Sequence, residues 1–296
     1  MMKKKTIFTG SGVAIVTPFK DGAVDYDALG NLIEFQIANS TDAIVICGTT
    51  GESSTLTDEE HRGCIEYAIK KVAGRVPVIA GTGSNDTSYA VELSKFACEA
   101  GADGLLLVTP YYNKASVKGL IAHYKAINDA VTCPCIIYNV PSRTGCNVTL
   151  PVYKGLVDCE NMVAVKEASG NISQIAEILS TFGDRFDIYS GNDDQILPIL
   201  SLGGKGVISV LANPMPRETH DICSLYFDGK TKEAAELQLK LIPFCKALFC
   251  EVNPIPVKTA MAAMGYCTEE LRLPLCEMED ANKAKLLAEM KKLNLI

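Results

Sequence analysis

Lys166 is the residue with the most distinctive chemical potential in this 296-residue sequence. It ends the apolar run at residues 162–166, in which Met162, Ala164 and Lys166 are expected to share one face of a strand. Burial in an apolar cavity would lower the pKa of this amine and leave a nucleophile that attacks ketones to form an imine. A lysine at the end of a strand also commonly extends to solvent or pairs with an acid, so this residue alone does not establish the chemistry.

Two further polar residues lie at and after the end of the preceding apolar run at residues 135–139. Tyr138 closes that run, and its hydroxyl is suited to the proton transfers that imine formation requires. A core tyrosine with a satisfied hydroxyl is the alternative. Arg143 follows in a loop, where a guanidinium can bind a carboxylate through two hydrogen bonds. A surface arginine without a ligand is the alternative there.

Residues 48–52 read Gly-Thr-Thr-Gly-Glu and follow another apolar run. The two glycines allow backbone N–H groups near Thr49 and Thr50 to approach an anion closely. Thr50 is also suited to relay a proton between tyrosines. The alternative is an ordinary turn between a strand and a helix, in which Glu52 stabilises only the loop.

Adjacent aromatic residues, Tyr111 and Tyr112, follow the run at residues 104–108. Exposed aromatic side chains are costly unless a substrate or a second subunit covers them, so this pair favours an interface role. Gly191 lies in a turn that either borders a site or only caps the next helix. Ile208 lies within the last apolar run, at residues 206–210.

The elements that must position these residues alternate between short apolar runs and amphipathic stretches. Because strands that alternate with helices pair in parallel, the pattern predicts an α/β fold with a (β/α)8 TIM barrel, and an open doubly wound sheet is the alternative. The first strand lacks the following Gly-x-Gly-x-x-Gly segment of a dinucleotide-binding fold. The eight predicted strands are residues 13–17, 43–47, 78–80, 104–108, 135–139, 162–166, 186–189 and 206–210.

The strand pattern stops near Gly229, and helical patterns continue at residues 231–250, 257–264 and 280–293. We therefore predict a catalytic barrel at residues 1–229 and a C-terminal helical domain at residues 230–296. The additional helices either mediate subunit contact or only pack against the barrel.

Composition excludes several classes of function. The net charge is −7, with no basic stripe that would bind nucleic acid, and the apolar runs are too short to span a membrane. The basic segment at residues 1–5 lacks the apolar stretch of an export signal, so a cytoplasmic protein is expected. The 12 cysteines are expected to be reduced, and with three histidines they give little indication of a metal site.

Together these motifs closely resemble the dihydrodipicolinate synthase family, within the pyruvate-dependent aldolase superfamily that includes N-acetylneuraminate lyase. The resemblance spans essentially the whole chain, and the order and spacing of the motifs make it specific. The motifs that carry it lie at residues 10–14, 48–52, 111–113, 138–141, 165–168 and 253–258.

The resemblance implies a condensation of pyruvate with aspartate semialdehyde, with no metal or organic cofactor because the lysine itself accepts electrons. It implies a homotetramer, a dimer of dimers. Lys166 would form the Schiff base, and Thr50, Tyr138 and a Tyr112 from across the dimer interface would relay protons. Substrate would be bound by Arg143, Thr49 and Thr50, with the backbone of Gly191 and Ile208 lining the site.

Two positions separate this chain from its relatives. Sugar-acid lyases generally lack an arginine at the place of Arg143, so the synthase is favoured over a sister aldolase such as N-acetylneuraminate lyase. Relatives that lysine inhibits hold its α-amine with a glutamate, and Tyr89 stands at that position here. Loss of a carboxylate from a cation site removes a charge-assisted hydrogen bond, so weak or absent lysine feedback is expected.

Overall fold

The computed structural model describes residues 6–296, and the basic segment at residues 1–5 lies outside the described residues. Eight parallel strands close into a barrel, which confirms the predicted fold class, and two short strands form a separate antiparallel hairpin. The strands are β1 (Gly10–Ala14), β2 (Phe19–Lys20), β3 (Ala23–Val24), β4 (Ala43–Ile46), β5 (Val78–Gly81), β6 (Gly104–Val108), β7 (Cys135–Asn139), β8 (Met162–Glu167), β9 (Asp187–Ser190) and β10 (Gly206–Ser209).

The barrel closes where β1 pairs with β10 on one side and with β4 on the other. The prediction of the first strand at residues 13–17 is wrong by three residues, because this strand begins in a Gly-Ser-Gly segment. A side chain at Gly12 would lie 2.9 Å from the ring of Phe8, and one at Gly10 would overlap the carboxylate of Asp42. Close packing, which intrinsic strand propensity does not include, selects these small residues.

The buried apolar residues of the barrel strands form two separate clusters. The larger lies between the strands and the helices, and the smaller fills the barrel interior with alternate residues such as Ala43 and Val45. The expected common face of Met162, Ala164 and Lys166 is only partly correct. A register shift in β7–β8 pairing turns Met162 outward into the larger cluster, whereas Ala164 belongs to the interior one.

Helices surround the barrel and cover its outer face. A capping box begins the second of them, in which the Thr57 side chain accepts from the Glu60 N–H and the Glu60 carboxylate accepts from the Thr57 N–H. The helices are α1 (Tyr26–Ala38), α2 (Asp58–Val72), α3 (Thr87–Glu99), α4 (Val117–Ala130), α5 (Pro141–Thr144), α6 (Leu150–Gly155), α7 (Ile172–Phe182), α8 (Ile196–Ser201), α9 (Pro216–Phe227), α10 (Thr231–Leu248), α11 (Ile255–Ala263) and α12 (Asp280–Lys292).

The last three helices lie close to the predicted ranges, and α10 and α11 both contact α12. The segment between α10 and α11 reaches back to the mouth of the barrel, where Asn253 is buried. Within residues 6–296, no helix combines the length and apolar character needed to cross a bilayer.

The expectation that all cysteines are reduced is not met. Cys98, near the end of α3, forms a disulfide with Cys133, which precedes β7, and their Cα atoms are 5.8 Å apart. The packing of α3 beside this loop brings together two thiols separated by 35 residues. The other ten cysteines are free, and six of them are buried.

Candidate active site

Lys166 lies near the carboxyl end of β8 and is only 5% exposed. It pairs in the sheet with Tyr138 of β7, and its Nζ lies 4.2 Å from the centre of the tyrosine ring. Among residues 6–296, Lys166 has no carboxylate partner at ion-pair distance. The amine is therefore held in the barrel interior against an aromatic face and has no acid adjacent to it.

The loop after β4 carries the two predicted threonines in a single 3₁₀ turn, Thr49–Gly51. Thr50 is buried, and its Oγ1 accepts a hydrogen bond of 3.1 Å from Nδ2 of Asn253. The turn is held against the barrel by Thr17, whose hydroxyl donates to the Gly51 carbonyl at 2.7 Å. Thr50 is thus fixed from both sides of its loop.

Arg143 lies on the short helix α5 and borders a cavity of about 360 Å³. Its Nη2 donates to the carbonyl oxygen of Asn253 at 2.9 Å, and no acidic side chain within residues 6–296 pairs with it. An exposed guanidinium with unused donors beside a cavity can bind a carboxylate from solution. The cavity is lined by Thr49, Ser53, Ser54, Leu56, His61, Gly83, Ser84, Tyr89, Val108, Tyr111, Val140, Arg143 and Thr144.

A smaller cavity of about 30 Å³ lies deeper, at the carboxyl ends of β4 to β7. Thr49 borders both cavities, and Tyr138 borders the smaller one. The two cavities therefore connect the position of Arg143 with the ring that covers Lys166.

Tyr112 borders neither of these cavities. Its side chain is 90% exposed, and its backbone has a φ of 71°, a conformation that is unfavourable for a bulky residue. Tyr111 is 36% exposed and lines the larger cavity. Within one chain, the structure does not bring Tyr112 together with Lys166 and Tyr138.

Gly191 and Ile208 lie at the other side of the barrel mouth. The Gly191 N–H donates to the Glu167 carbonyl at 2.7 Å, and a Cβ at this position would lie 2.6 Å from the Cβ of Ala168. Only glycine allows the β9 loop to run this close to the end of β8. Ile208 is fully buried in the interior cluster with Tyr138.

Two buried carboxylates lie beside these elements, and we predicted no role for either. Glu167 accepts from the Asn139 side chain at 3.0 Å and from the Ser169 N–H at 2.9 Å. Burial raises the pKa of Glu167, and these hydrogen bonds partly oppose that change. Asp193 accepts from the Ser209 hydroxyl at 2.5 Å, and burial likewise raises its pKa. Both carboxylates hold strand ends in place.

Asn253 is the contact residue that sequence reasoning missed. It forms part of the motif at residues 253–258 that carries the family resemblance, but no role was assigned to it. It lies 203 residues from Thr50 and 110 from Arg143 and contacts both of them. Its presence in a distinctive Asn-Pro-Ile-Pro motif was the available signal.

The described residues contain no group of three or more histidine, cysteine or acidic side chains arranged to hold a metal ion. The site instead combines one buried amine, hydroxyl groups and one free guanidinium. This set of groups can form an imine, transfer protons and bind a carboxylate.

Comparison with known proteins agrees with this geometry. The chain is 59% identical to 4-hydroxy-tetrahydrodipicolinate synthase of Clostridium tetani over 286 residues, which cover 96% of this chain and 97% of that one. The crystal structure of dihydrodipicolinate synthase from Aquifex aeolicus is 51% identical, with a TM-score of 0.96 over 97% of this chain and 99% of that one.

A third relative has been solved with a ligand. Dihydrodipicolinate synthase from Acinetobacter baumannii, complexed with pyruvate, is 42% identical, with a TM-score of 0.95 over 98% of this chain and 100% of that one. The family model of the dihydrodipicolinate synthetase family matches residues 7–293. The chain therefore belongs to the dihydrodipicolinate synthetase family.

Proposed function

We propose that this protein condenses pyruvate with L-aspartate 4-semialdehyde to 4-hydroxy-tetrahydrodipicolinate, through a Schiff base on Lys166. The observation that carries this proposal is the buried Lys166 amine, which lies 4.2 Å from the centre of the Tyr138 ring and has no acidic partner among residues 6–296. The names of the relatives and the pyruvate complex of one of them support the choice of substrates.

In the proposed reaction, the neutral amine of Lys166 attacks the ketone of pyruvate, and loss of water gives the imine. The imine withdraws electrons, so a methyl proton is lost and an enamine forms. The enamine carbon then attacks the aldehyde of the second substrate, and cyclisation releases the lysine. No metal or organic cofactor takes part in these steps.

In this scheme, protons are transferred by Tyr138, Thr50 and the Tyr112 of a second subunit. Tyr138 lies against Lys166, and Thr50 is buried in the loop after β4. The 90% exposure of Tyr112 in a single chain supports its delivery across a dimer interface, since covering so large an aromatic surface favours association.

The carboxylate of each substrate requires its own binding group. Arg143 would hold that of aspartate semialdehyde, because its guanidinium faces the larger cavity without an acidic partner among the described residues. Thr49 and Thr50 would hold that of pyruvate nearer to the lysine, with the backbone at Gly191 and Ile208 completing the wall.

The proposal also contains the division into a catalytic barrel at residues 1–229 and a helical domain at residues 230–296. Assembly as a homotetramer, a dimer of dimers, and a cytoplasmic location belong to it as well. The exposure of Tyr112 supports a dimer. The relatives are named as biosynthetic synthases, and this supports the cytoplasmic location.

The test compares wild type with Lys166→Ala in the condensation assay, and traps the pyruvate adduct with borohydride for mass spectrometry. We expect the substitution to lower kcat at least about 10³-fold and to abolish the adduct. Lys154→Ala, at an exposed lysine on α6, is the control and should keep both turnover and the adduct. A wild-type adduct without condensation would indicate a sister aldolase, and no adduct would contradict the proposal.

A further inference from the structure

Asn139 lies behind the two residues that meet inside the barrel. Tyr138 pairs with Lys166 across β7 and β8. The next step of the same register pairs Asn139 with Glu167. Successive strand residues point to opposite faces, so Asn139 and Glu167, both fully buried, point outward between the strands and the helices. The outer pair therefore lies directly behind the inner one.

The Asn139 side chain closes the loop that carries Arg143. Its Oδ1 accepts from the Val148 N–H at 2.9 Å, and its Nδ2 donates to Oδ1 of Asn147 at 2.8 Å. The chain between these ends, residues 140–147, contains the short helix α5 with Arg143. One amide thus ties the two ends of the loop together, and Arg143 extends from this loop to the wall of the larger cavity.

Glu167 determines which way the Asn139 amide faces. Its carboxylate oxygens lie 3.0 and 3.1 Å from Nδ2 of Asn139, and Oε1 also accepts from the Ser169 N–H at 2.9 Å. Oε2 accepts from Nε2 of Gln174 at 3.4 Å. These nitrogens cannot accept a proton, so they fit an ionised carboxylate, which only accepts. The amide nitrogen of Asn139 must therefore face Glu167, and its oxygen is left for Val148.

This outer pair does little for stability. Glu167 is fully buried, burial is unfavourable for its charged form, and no lysine or arginine among residues 6–296 pairs with it. An apolar pair of the same size would avoid that penalty. What the polar pair contributes is a fixed orientation of the amide at the start of the loop.

We propose that Asn139 and Glu167 are positioning residues, which hold the Arg143 loop so that its guanidinium receives the carboxylate of aspartate semialdehyde. This inference rests on the proposed function, because Arg143 binds that substrate there. It concerns the second substrate only, since main-chain pairing of β7 with β8 holds Tyr138 beside Lys166.

The first variant is Glu167→Gln, which keeps the shape but places an amide nitrogen opposite Nδ2 of Asn139. Two donors then face each other, and the loop loses its fixed start. We expect the KM for aspartate semialdehyde to rise about 5-fold. The borohydride-trapped pyruvate adduct should form within about 2-fold of the wild-type rate, because that step does not involve Arg143.

Adding Asn139→Asp to this variant exchanges donor and acceptor between the two positions. The glutamine nitrogen then donates to the aspartate, whose other oxygen still accepts from the Val148 N–H. We expect the double variant to return the KM for aspartate semialdehyde to within about 2-fold of wild type. If the pair only stabilised the fold, the second substitution would add to the loss.

Asn139→Ala measures the full effect, because alanine removes both hydrogen bonds that close the loop. The KM for aspartate semialdehyde should rise about 10-fold or more. Asn161→Ala is the matched control, at an asparagine that precedes β8 at the opposite end of the barrel and donates to the carbonyl oxygens of Asn128 and Val131. It should lower the melting temperature but leave the KM and the adduct rate within about 2-fold of wild type.

An Arg143→Ala background tests whether the pair acts through the arginine. In that background, Asn139→Ala should raise the KM for aspartate semialdehyde by less than about 2-fold. Melting temperatures of all variants separate a loss of folding from a loss of substrate binding.

Four results would overturn the inference. They are an unchanged KM in Asn139→Ala, a KM that rises further when Asn139→Asp is added to Glu167→Gln, an undiminished effect in the Arg143→Ala background, or adduct formation that slows as much as the KM rises. Wild-type protein that does not condense the two substrates would instead overturn the proposed function, and this inference with it.

Discussion

The Nζ of Lys258 lies 2.6 Å from Oε1 of Glu52, and both side chains are at most 1% exposed. Lys258 also lies 4.0 Å from the centre of the Phe19 ring. Burial lowers the pKa of Lys258, and the adjacent Glu52 opposes that change. This pair connects helix α11 to the loop that carries Thr49 and Thr50, so the C-terminal helices directly support the proposed site.

Removing one member of this pair should be strongly destabilising. Lys258→Met leaves the Glu52 carboxylate buried without its cation, and we expect a loss of about 3–5 kcal/mol in the free energy of unfolding. The double variant with Glu52→Gln should lose much less than the sum of the two single variants, because it leaves no unpaired charge. Urea unfolding at fixed protein concentration measures this, and strictly additive losses would contradict it.

Tyr112→Phe should lower kcat about 10²-fold while the oligomer persists, because the ring remains and only the relay hydroxyl is lost. Tyr111→Phe is the matched control and should have a smaller effect. Sedimentation of each variant checks the assembly.

Mixed oligomers test whether Tyr112 acts across the interface. Lys166→Ala and Tyr112→Phe protomers, unfolded and refolded together, should recover activity, since one of the two sites in each mixed dimer then contains both intact residues. A mixture no more active than its separate components would place Tyr112 in the site of its own chain.

Glu60 should make stability depend on acid pH. Its hydrogen bonds with Arg272 lower the pKa of Glu60 from 4.5 to about 2. The folded protein thus holds this proton more weakly than the unfolded chain, so the stabilisation is complete above about pH 4.5 and is lost as the pH falls towards 2. Because the side chain is 23% exposed, water screens the pair and the contribution is about 1 kcal/mol.

Glu60→Gln checks this pH dependence, since glutamine keeps the capping box with Thr57 but does not titrate. The stability difference between wild type and this variant should shrink as the pH is lowered from 6 to 3 in calorimetric melts. A difference that stays constant over this range would show that the Glu60–Arg272 pair does not stabilise the fold through its charge.

Lysine should inhibit this enzyme weakly or not at all. Tyr89 lines the larger cavity beside Ser53 and His61, and its hydroxyl donates to Asp58 at 3.0 Å. Burial, together with this hydrogen bond, raises the pKa of Tyr89 to about 12, so the side chain stays neutral and offers no anion to an ammonium group.

Replacing this residue tests that explanation. Tyr89→Glu should lower the lysine concentration for half-inhibition about 10-fold or more, as expected for a regained charge-assisted hydrogen bond. Tyr89→Gln, which is neutral, should not. Micromolar inhibition of the wild type in a steady-state assay would contradict the prediction.

The sequence by itself determined the number and order of the eight barrel strands and their alternation with helices, because apolar periodicity is a local property of the chain. It did not indicate the β2–β3 hairpin, whose strands have only two residues each. It also placed Lys166 at a strand end and Tyr138 at the end of the strand before it. Parallel pairing of consecutive strands then puts the two side chains together, and β7 and β8 do pair Tyr138 with Lys166. The parts of the site that follow from local pattern and strand adjacency were predictable.

Tertiary structure alone decided the contacts between distant segments. Strand β1 begins at Gly10 because its neighbours leave no room for larger side chains, and Met162 faces outward because the register shifts beside it. Cys98 and Cys133 become a pair, and Asn253 reaches Thr50 across 203 residues. No periodicity carries such information, since these contacts arise only when the closed barrel and the C-terminal helices pack against each other.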